Sequence, residues 1–197
     1  MNPQRLVLAS NNAKKLGELT ALLSPLGIQL VPQRELGVAE CDEPHCTFVE
    51  NALAKARHAA IMTGLPALAD DSGLCVDALL GAPGVHSARY ADEPKSDERN
   101  NQKLLDALQN EDNRNARFIC VIVLARHAAD PQPIIAEGEW RGEILRAPRG
   151  GGGFGYDPIF LDKESNLASA ELPPEVKNRK SHRGLAMRAL IEKLQAS

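Results

Sequence analysis

Residues 118–125 read FICVIVLA, a run of eight apolar residues without a polar interruption. The run is too short to span a membrane, which takes about 20 apolar residues. It predicts instead a strand that is apolar on both faces and lies inside a covered sheet. The fold is therefore expected to form around this central strand.

Strand and helix signals alternate in the chain before the central strand. Leucines at helical spacing predict the first helix, and Pro25 and Gly27 end it. Thr47-Phe48-Val49-Glu50 has the pattern of a capping box, in which Thr47 caps an N–H and Glu50 reaches back. The predicted elements are a strand at 6–9, a helix at 14–23, a strand at 28–31, a helix from Thr47 to about Thr63, and a strand from 66 that ends at Asp70-Asp71-Ser72-Gly73.

The later part of the chain contains antiparallel signals. We predict a polar helix at 97–109, one or two strands of a hairpin at 134–145, a strand at 159–161 and a final helix at 182–194. Strand–helix alternation followed by such segments predicts an α/β fold with a mixed β-sheet flanked by helices. No linker is visible, so residues 1–197 are expected to form a single domain, with any second lobe an insertion.

Composition and charge exclude several classes of protein. Lys and Arg total 23 against 26 Asp and Glu, for a net charge of −3, which argues against a protein that coats nucleic acid by bulk charge. A small anionic ligand remains possible, because one basic pocket can lie in an acidic protein. No apolar segment suits a membrane partner, and the four cysteines are expected to be reduced thiols in a cytoplasmic protein.

The first predicted strand leads into a candidate phosphate site. Backbone N–H groups and the dipole at a helix N-terminus favour an anion, and Ser, Asn and Lys side chains add donors. A polar cap with solvated lysines is the alternative. The candidate residues are Ser10, Asn11, Asn12, Ala13, Lys14 and Lys15.

Acidic residues form a second candidate site. Asp70 and Asp71 are expected at the carboxyl end of a buried strand, where α/β proteins usually bind ligands. Adjacent carboxylates repel, and their hard oxygen atoms suit Mg²⁺ shared with substrate phosphates. Asp42 or Glu43 could supply a further carboxylate. The alternative is an Asp-Ser-Gly turn without a ligand.

Two further segments could contact a planar base. The glycine-rich segment 150–158 contains Phe154, whose ring could stack on a base, while residues 177–184 concentrate cations before the last helix. A flexible loop and a solvated basic turn are the alternatives. Four of the seven aromatic residues lie between positions 140 and 160, and we expect Trp140 and Phe160 to be core residues.

Taken together, these segments resemble the inosine triphosphate pyrophosphatase family, in particular its bacterial HAM1-like members that act on dITP and XTP. Six motifs occur in the family order over nearly the whole chain. They are Ser10-x-Asn12-x-x-Lys15, Thr47-Phe48-x-Glu50-Asn51-Ala52 with Lys55-Ala56, Ala69-Asp70-Asp71-Ser72-Gly73-Leu74, Gly81-Ala82-Pro83-Gly84 with Ser87-Ala88-Arg89-Tyr90, Gly153-Phe154-Gly155-Tyr156-Asp157-Pro158, and Ser181-His182-Arg183-Gly184.

The resemblance implies an elongated α/β protein with a mixed sheet, two lobes with a central cleft, and a homodimer. It implies Mg²⁺-dependent hydrolysis of purine nucleoside triphosphates with a deaminated base, such as dITP, ITP and XTP, to the monophosphate and pyrophosphate. This reaction would cleanse the nucleotide pool. Two alternatives remain: a Maf-like pyrophosphatase for other modified nucleotides, and a nucleotide-binding protein without catalysis.

The resemblance also implies roles for individual residues. Asp71 would bind Mg²⁺ and orient or deprotonate the attacking water, with Glu43, or Asp42 in its place, as the second metal ligand. The triphosphate would be held by residues 10–15, with Lys55 and Ser72 beside it. The base would be bound by Phe154, Gly155, Tyr156, Asp157, Lys177, His182 and Arg183.

Overall fold

The computed structural model describes residues 4–10 and 13–196. None of the helices in these ranges is long and apolar enough to cross a membrane. The elements in chain order are β1 (Gln4–Leu8), α1 (Ala13–Leu23), β2 (Ile28–Pro32), α2 (Phe48–Thr63), β3 (Ala67–Val76), α3 (Asp97–Ala107), β4 (Asn115–Ala125), β5 (Ile134–Ile144), β6 (Phe160–Asp162), β7 (Leu167–Ala168), α4 (Pro174–Lys180) and α5 (His182–Gln195).

The strands form one sheet in the order β2-β1-β3-β4-β5-β6-β7. β1 pairs in parallel with β2 and with β3, whereas β6 pairs antiparallel with β5 and with β7. Parallel neighbours need a crossover connection, and α1 and α2 lie in the two crossovers. The predicted α/β fold with a mixed sheet flanked by helices is therefore confirmed.

Helix α2 begins and ends where the local sequence requires. The hydroxyl of Thr47 accepts a hydrogen bond from the Glu50 N–H at 3.3 Å and donates one to the Glu50 carboxylate at 2.6 Å. Both hydrogen bonds of this capping box therefore involve the Thr47 hydroxyl, one with the backbone and one with the side chain of Glu50. At the other end, Gly64 adopts φ +68° and its N–H donates to the carbonyl of Ala60, which is the usual left-handed glycine stop.

The chain packs as two compact units, each with its own core. The first unit comprises residues 1–71, 120–137 and 186–197, and the second comprises residues 72–119 and 138–185. Buried residues of the first core include Leu8, Leu68, Ile122 and Leu190. The second core includes Leu74, Leu104, Phe118, Trp140 and Phe160, so the expected core positions of Trp140 and Phe160 are confirmed.

Strand β3 differs from the prediction. It continues through Asp70 to Gly73 and ends only at Val76, so the acidic pair lies inside a strand and not at its end. Asp-Ser-Gly is favourable turn chemistry, but sheet pairing and the buried apolar residues at 74–76 outweigh that local preference.

Residues 134–144 form the single strand β5, which agrees with the prediction of one or two strands in this segment. The basic segment 177–184, for which a solvated turn was the alternative, begins within the short helix α4, which ends at Lys180. The four cysteines are free thiols, and Cys75 and Cys120 are buried.

Candidate active site

Four polar side chains of the first unit meet beside β3. They are Glu43, Asn51, Lys55 and Asp71, here called the carboxylate cluster. Asn51 and Lys55 lie one turn apart on α2, which places them on the same face of that helix. Asp71 comes from β3, and Glu43 comes from the segment before α2.

Asn51 connects Asp71 to the segment that carries Glu43. Its amide nitrogen donates to Oδ2 of Asp71 at 3.2 Å and to the carbonyl of His45 at 3.4 Å, while its amide oxygen accepts from the His45 N–H at 3.1 Å. The residue is only 1% exposed. A buried, bonded amide of this kind fixes its partners, so one oxygen atom of Asp71 has a defined position.

Lys55 bridges the two carboxylates. Its ammonium donates to Oε1 of Glu43 at 2.7 Å and lies 3.5 Å from Oδ1 of Asp71. The side chain is largely buried, so this ion pair is screened less than a surface pair. Lys55 thus contacts Glu43, whereas Asp42 is exposed, and the choice of Glu43 as the second metal ligand stays a prediction.

The cluster retains an excess of negative charge. Burial raises the pKa of Asp71, and Glu43 and Asp70 raise it further, against the opposing effects of Lys55 and the Asn51 hydrogen bond. Burial lowers the pKa of Lys55, but the surrounding carboxylates outweigh burial and hold that pKa above its usual value. The ammonium therefore stays charged, while the ionised form of Asp71 lacks full compensation.

These residues fit a magnesium ion better than a softer metal. Carboxylate oxygens are the ligands that Mg²⁺ prefers, and uncompensated negative charge favours a cation. Within residues 4–10 and 13–196, no group of three or more His, Cys, Asp or Glu side chains is arranged to hold a metal alone. A cation here would take its other ligands from water and substrate oxygens, as Mg²⁺ commonly does.

The candidate phosphate turn is described only in part. Ser10 is half-buried after β1, and Ala13 begins α1. Asn11 and Asn12 lie outside the described residues, as do the side chains of 13–15. Their predicted role in holding the triphosphate stays a prediction. Ser72 follows Asp71 within β3 and is half-buried.

The glycine-rich segment of the second unit presents an aromatic ring. Phe154 is 51% exposed, an unusual position for a large apolar side chain. The ammonium of Lys177 lies 5.4 Å from the ring centroid, and the guanidinium carbon of Arg183 lies 5.8 Å from it. The structure thus brings three of the predicted base-binding residues together.

Asp157 and Tyr156 are buried residues that stabilise the segment carrying the Phe154 ring. The carboxylate of Asp157 accepts hydrogen bonds from the Phe154 N–H at 2.8 Å, from the Ser169 hydroxyl at 2.7 Å and from the ammonium of Lys177. The hydroxyl of Tyr156 donates to the carbonyl of Ser87 at 2.9 Å, and burial raises its pKa. Both residues are buried, so they hold the segment in shape.

The last predicted motif lies at the start of α5. The Ser181 hydroxyl accepts the Gly184 N–H at 3.2 Å and so caps the N-terminus of this helix. The His182 ring stacks on Phe118 with centroids 4.8 Å apart and planes 13° from parallel. Packing against a core ring fixes the orientation of the imidazole; its role in reading a base stays a prediction.

Three residues of these surroundings had no role assigned from the sequence. Asn51 stands in a motif that the sequence singled out, and its spacing of four from Lys55 is a signal for a shared helix face. Asp97 and Asn101 contact Gly155 across 58 and 54 residues of chain, so no local pattern could indicate them.

Comparison with known proteins agrees with these motifs. A sequence model of the Ham1 family matches residues 6–193. A protein of Nitrosomonas europaea named dITP/XTP pyrophosphatase is 63% identical over 190 residues, which cover 96% of this chain and 94% of that protein. A protein of Aromatoleum aromaticum with the same name is 61% identical, covering 98% of each chain. The solved structure of a HAM1 protein from Coxiella burnetii matches with a TM-score of 0.96 and 50% identity, over 98% of this chain and 100% of that one.

Proposed function

The chain belongs to the Ham1 family, as its six motifs predicted, and on that premise we propose that it is a Mg²⁺-dependent nucleoside triphosphate pyrophosphatase. Its substrates in this proposal are dITP, ITP and XTP, which it hydrolyses to the monophosphate and pyrophosphate. The names of the relatives support pyrophosphatase activity on dITP and XTP. The observation that carries the proposal is the buried carboxylate of Asp71, which lies beside Lys55 in the same cluster as Glu43.

Asp71 is the proposed proton acceptor. A carboxylate with a raised pKa accepts a proton more readily near neutral pH than an exposed aspartate does. Asn51 and Lys55 each approach a different oxygen atom of Asp71, which supports a fixed orientation toward an attacking water. The proton would move to a carboxylate oxygen as the water attacks phosphorus.

Asp71 and Glu43 would hold the metal. When bound, Mg²⁺ would neutralise charge on the phosphate oxygens, including the charge that grows on the leaving pyrophosphate. Lys55, which lies between the two carboxylates, would donate to a phosphate oxygen as its carboxylate partners turn to the cation. Residues 10–15 would donate to the rest of the triphosphate.

The base would stack on Phe154. Stacking of a base on an aromatic side chain contributes about 1–3 kcal/mol and tolerates any base. Selection would come from Lys177 and Arg183, which as cations can only donate, and from His182 in its protonated form, which also only donates. Donors suit the O6 acceptor of hypoxanthine or xanthine and oppose the 6-amino donor of adenine, because a buried unpaired donor costs about 1–3 kcal/mol.

The proposal extends to assembly and location. By analogy with the family we propose a homodimer, which light scattering of the purified protein would test. The free thiols are compatible with the reducing cytoplasm, where we propose that the enzyme acts. Fractionation of the source cells tests the location.

A substrate panel tests the activity. The protein is incubated with Mg²⁺ and dITP, ITP, XTP, ATP, GTP and modified pyrimidine triphosphates, and the products are identified. We expect pyrophosphate from the first three, and at least a 100-fold loss in Asp71→Asn with nucleotide binding retained. Release of orthophosphate would overturn the proposal. Preference for other modified nucleotides would favour a Maf-like enzyme, and binding without turnover a non-catalytic protein.

A further inference from the structure

The position of the Phe154 ring depends on its backbone. With half of its surface exposed, the side chain receives limited support from packing. The ring also stands in a segment with four consecutive glycines, from Gly150 to Gly153, whose backbone has wide conformational freedom. Beside the contacts of the ring with Lys177 and Arg183, hydrogen bonds to the peptide groups on either side of Phe154 therefore help to place the ring.

Two side chains of α3 hold the peptide groups that follow Phe154. The N–H of Gly155 donates to Oδ2 of Asp97 at 2.6 Å, and the carbonyl of Gly155 accepts from the amide of Asn101 at 3.0 Å. Asp97 and Asn101 are four residues apart on one helix, so they lie on the same face. Gly155 itself has φ +60°, a conformation that favours glycine.

Helix α3, which carries Asp97 and Asn101, is capped at its N-terminus and packed into the core. The Ser96 hydroxyl caps its N-terminus by accepting the Arg99 N–H at 3.2 Å. Leu104, on the same helix, is fully buried in the core of the second unit. The backbone positions of Asp97 and Asn101 are therefore held by a capped and packed helix.

The buried position of Asn101 lowers the stability of the fold, so stability does not explain it. The residue is 9% exposed, and its amide oxygen has no hydrogen-bond partner among the residues that the structure describes. A buried acceptor without a partner is destabilising. A polar residue placed where it breaks a packing rule is a common sign of a functional position.

We propose that Asp97 and Asn101 are positioning residues for the base: they fix both peptide groups of Gly155 and thereby hold the Phe154 ring ready to stack. This inference rests on the proposed function, because it takes the purine as the partner of that ring. It assigns part of base affinity to α3, a helix outside the family motifs.

Binding of the two reaction products tests the inference without turnover. Calorimetry with Mg²⁺ gives the Kd of IMP, which carries the base, and of pyrophosphate, which does not. We expect Asn101→Ala and Asp97→Ala to weaken IMP binding about 3- to 10-fold, the range for one lost hydrogen bond, and to leave pyrophosphate binding unchanged. Asp97→Asn keeps an acceptor and should bind IMP as the wild type does.

Matched variants separate positioning from general damage. Glu98→Ala removes an exposed carboxylate from the same helical turn and should change neither Kd. In the Phe154→Ala background, Asn101→Ala should have no further effect on IMP, because the ring through which it acts is gone.

Three results would overturn the inference: unchanged IMP affinity, an equal loss for IMP and pyrophosphate, or a loss that persists without Phe154. An absence of IMP binding by the wild type would also overturn it. The proposed function fails separately, if the wild type releases no pyrophosphate from any purine triphosphate in the panel.

Discussion

At the scale of single residues, Asp71 shows how burial prepares a side chain for chemistry. An exposed aspartate would be a weak proton acceptor at neutral pH. Here burial and two neighbouring carboxylates raise the pKa, and Lys55 limits the rise. The raised pKa that the proposed mechanism requires therefore depends on the charges of Glu43, Asp70 and Lys55 as well as on Asp71 itself.

Titration of Asp71 in Mg²⁺-free protein tests this balance. We expect its carboxyl group to titrate at higher pH than an exposed aspartate, since burial is the largest cause of the shift. Lys55 favours the ionised form, so Lys55→Met should raise the pKa of Asp71 further. Carboxyl ¹³C NMR over a pH series gives both values, with the signal assigned from its loss in Asp71→Asn.

Lys103→Met provides a control, because Lys103 is bonded to the carbonyl of Tyr90 in the second unit. It should leave the Asp71 titration unchanged. A pKa for Asp71 at or below that of an exposed aspartate, or a downward shift in Lys55→Met, would contradict the account of the cluster.

At the scale of elements, the glycine-rich segment is shaped by one buried carboxylate. A Cβ at Gly153 would lie 2.2 Å from Oδ2 of Asp157, and Gly153 has φ +81°. The position thus excludes a side chain for two reasons, a collision and a strained backbone. Gly151 has neither restriction, since a Cβ there would meet nothing within 4 Å.

The two glycines form a matched pair for mutation. Gly153→Ala should lower the free energy of unfolding by about 1–3 kcal/mol, because the left-handed backbone disfavours Ala and Asp157 must shift. Gly151→Ala should stay within about 0.5 kcal/mol of the wild type. Urea denaturation measures both values, and equal stability of the two variants would contradict the role given to Asp157.

Helices whose ends are set by caps and stops were predictable from the sequence. The length of a strand, which depends on pairing with neighbouring strands, was not. The bounds of α1, α2 and α5 follow from caps and stops within a few residues, and the structure agrees with them closely. The length of β3 depends on neighbouring strands, so the turn chemistry of Asp-Ser-Gly was misleading. The motifs identified Asp71 and Lys55, but the buried bonds of Asn51 and Asn101 depend on residues distant in the chain.

At the scale of the whole molecule, the two units share strands. Leu68 and Leu74 lie six positions apart on β3, and they belong to the first and the second core respectively. β4 does the same, with Ile122 in the first core and Phe118 in the second. A strand cannot lose one half of its packing without weakening the other, so we expect the chain to unfold in one cooperative transition.

Trp140, the single tryptophan, lies in the second core and makes this expectation measurable. Leu68→Ala creates a cavity in the first core and should lower the free energy of unfolding by about 2–5 kcal/mol. If unfolding is cooperative, the urea midpoint from Trp140 fluorescence should fall together with the midpoint from far-UV circular dichroism.

Two further variants serve as controls. Leu74→Ala, in the second core, should also lower both midpoints together, whereas Leu80→Ala, at a fully exposed site, should change neither midpoint. A Trp140 midpoint that stays at the wild-type value in Leu68→Ala, while circular dichroism shows an earlier phase, would mean that the shared strands do not couple the two cores.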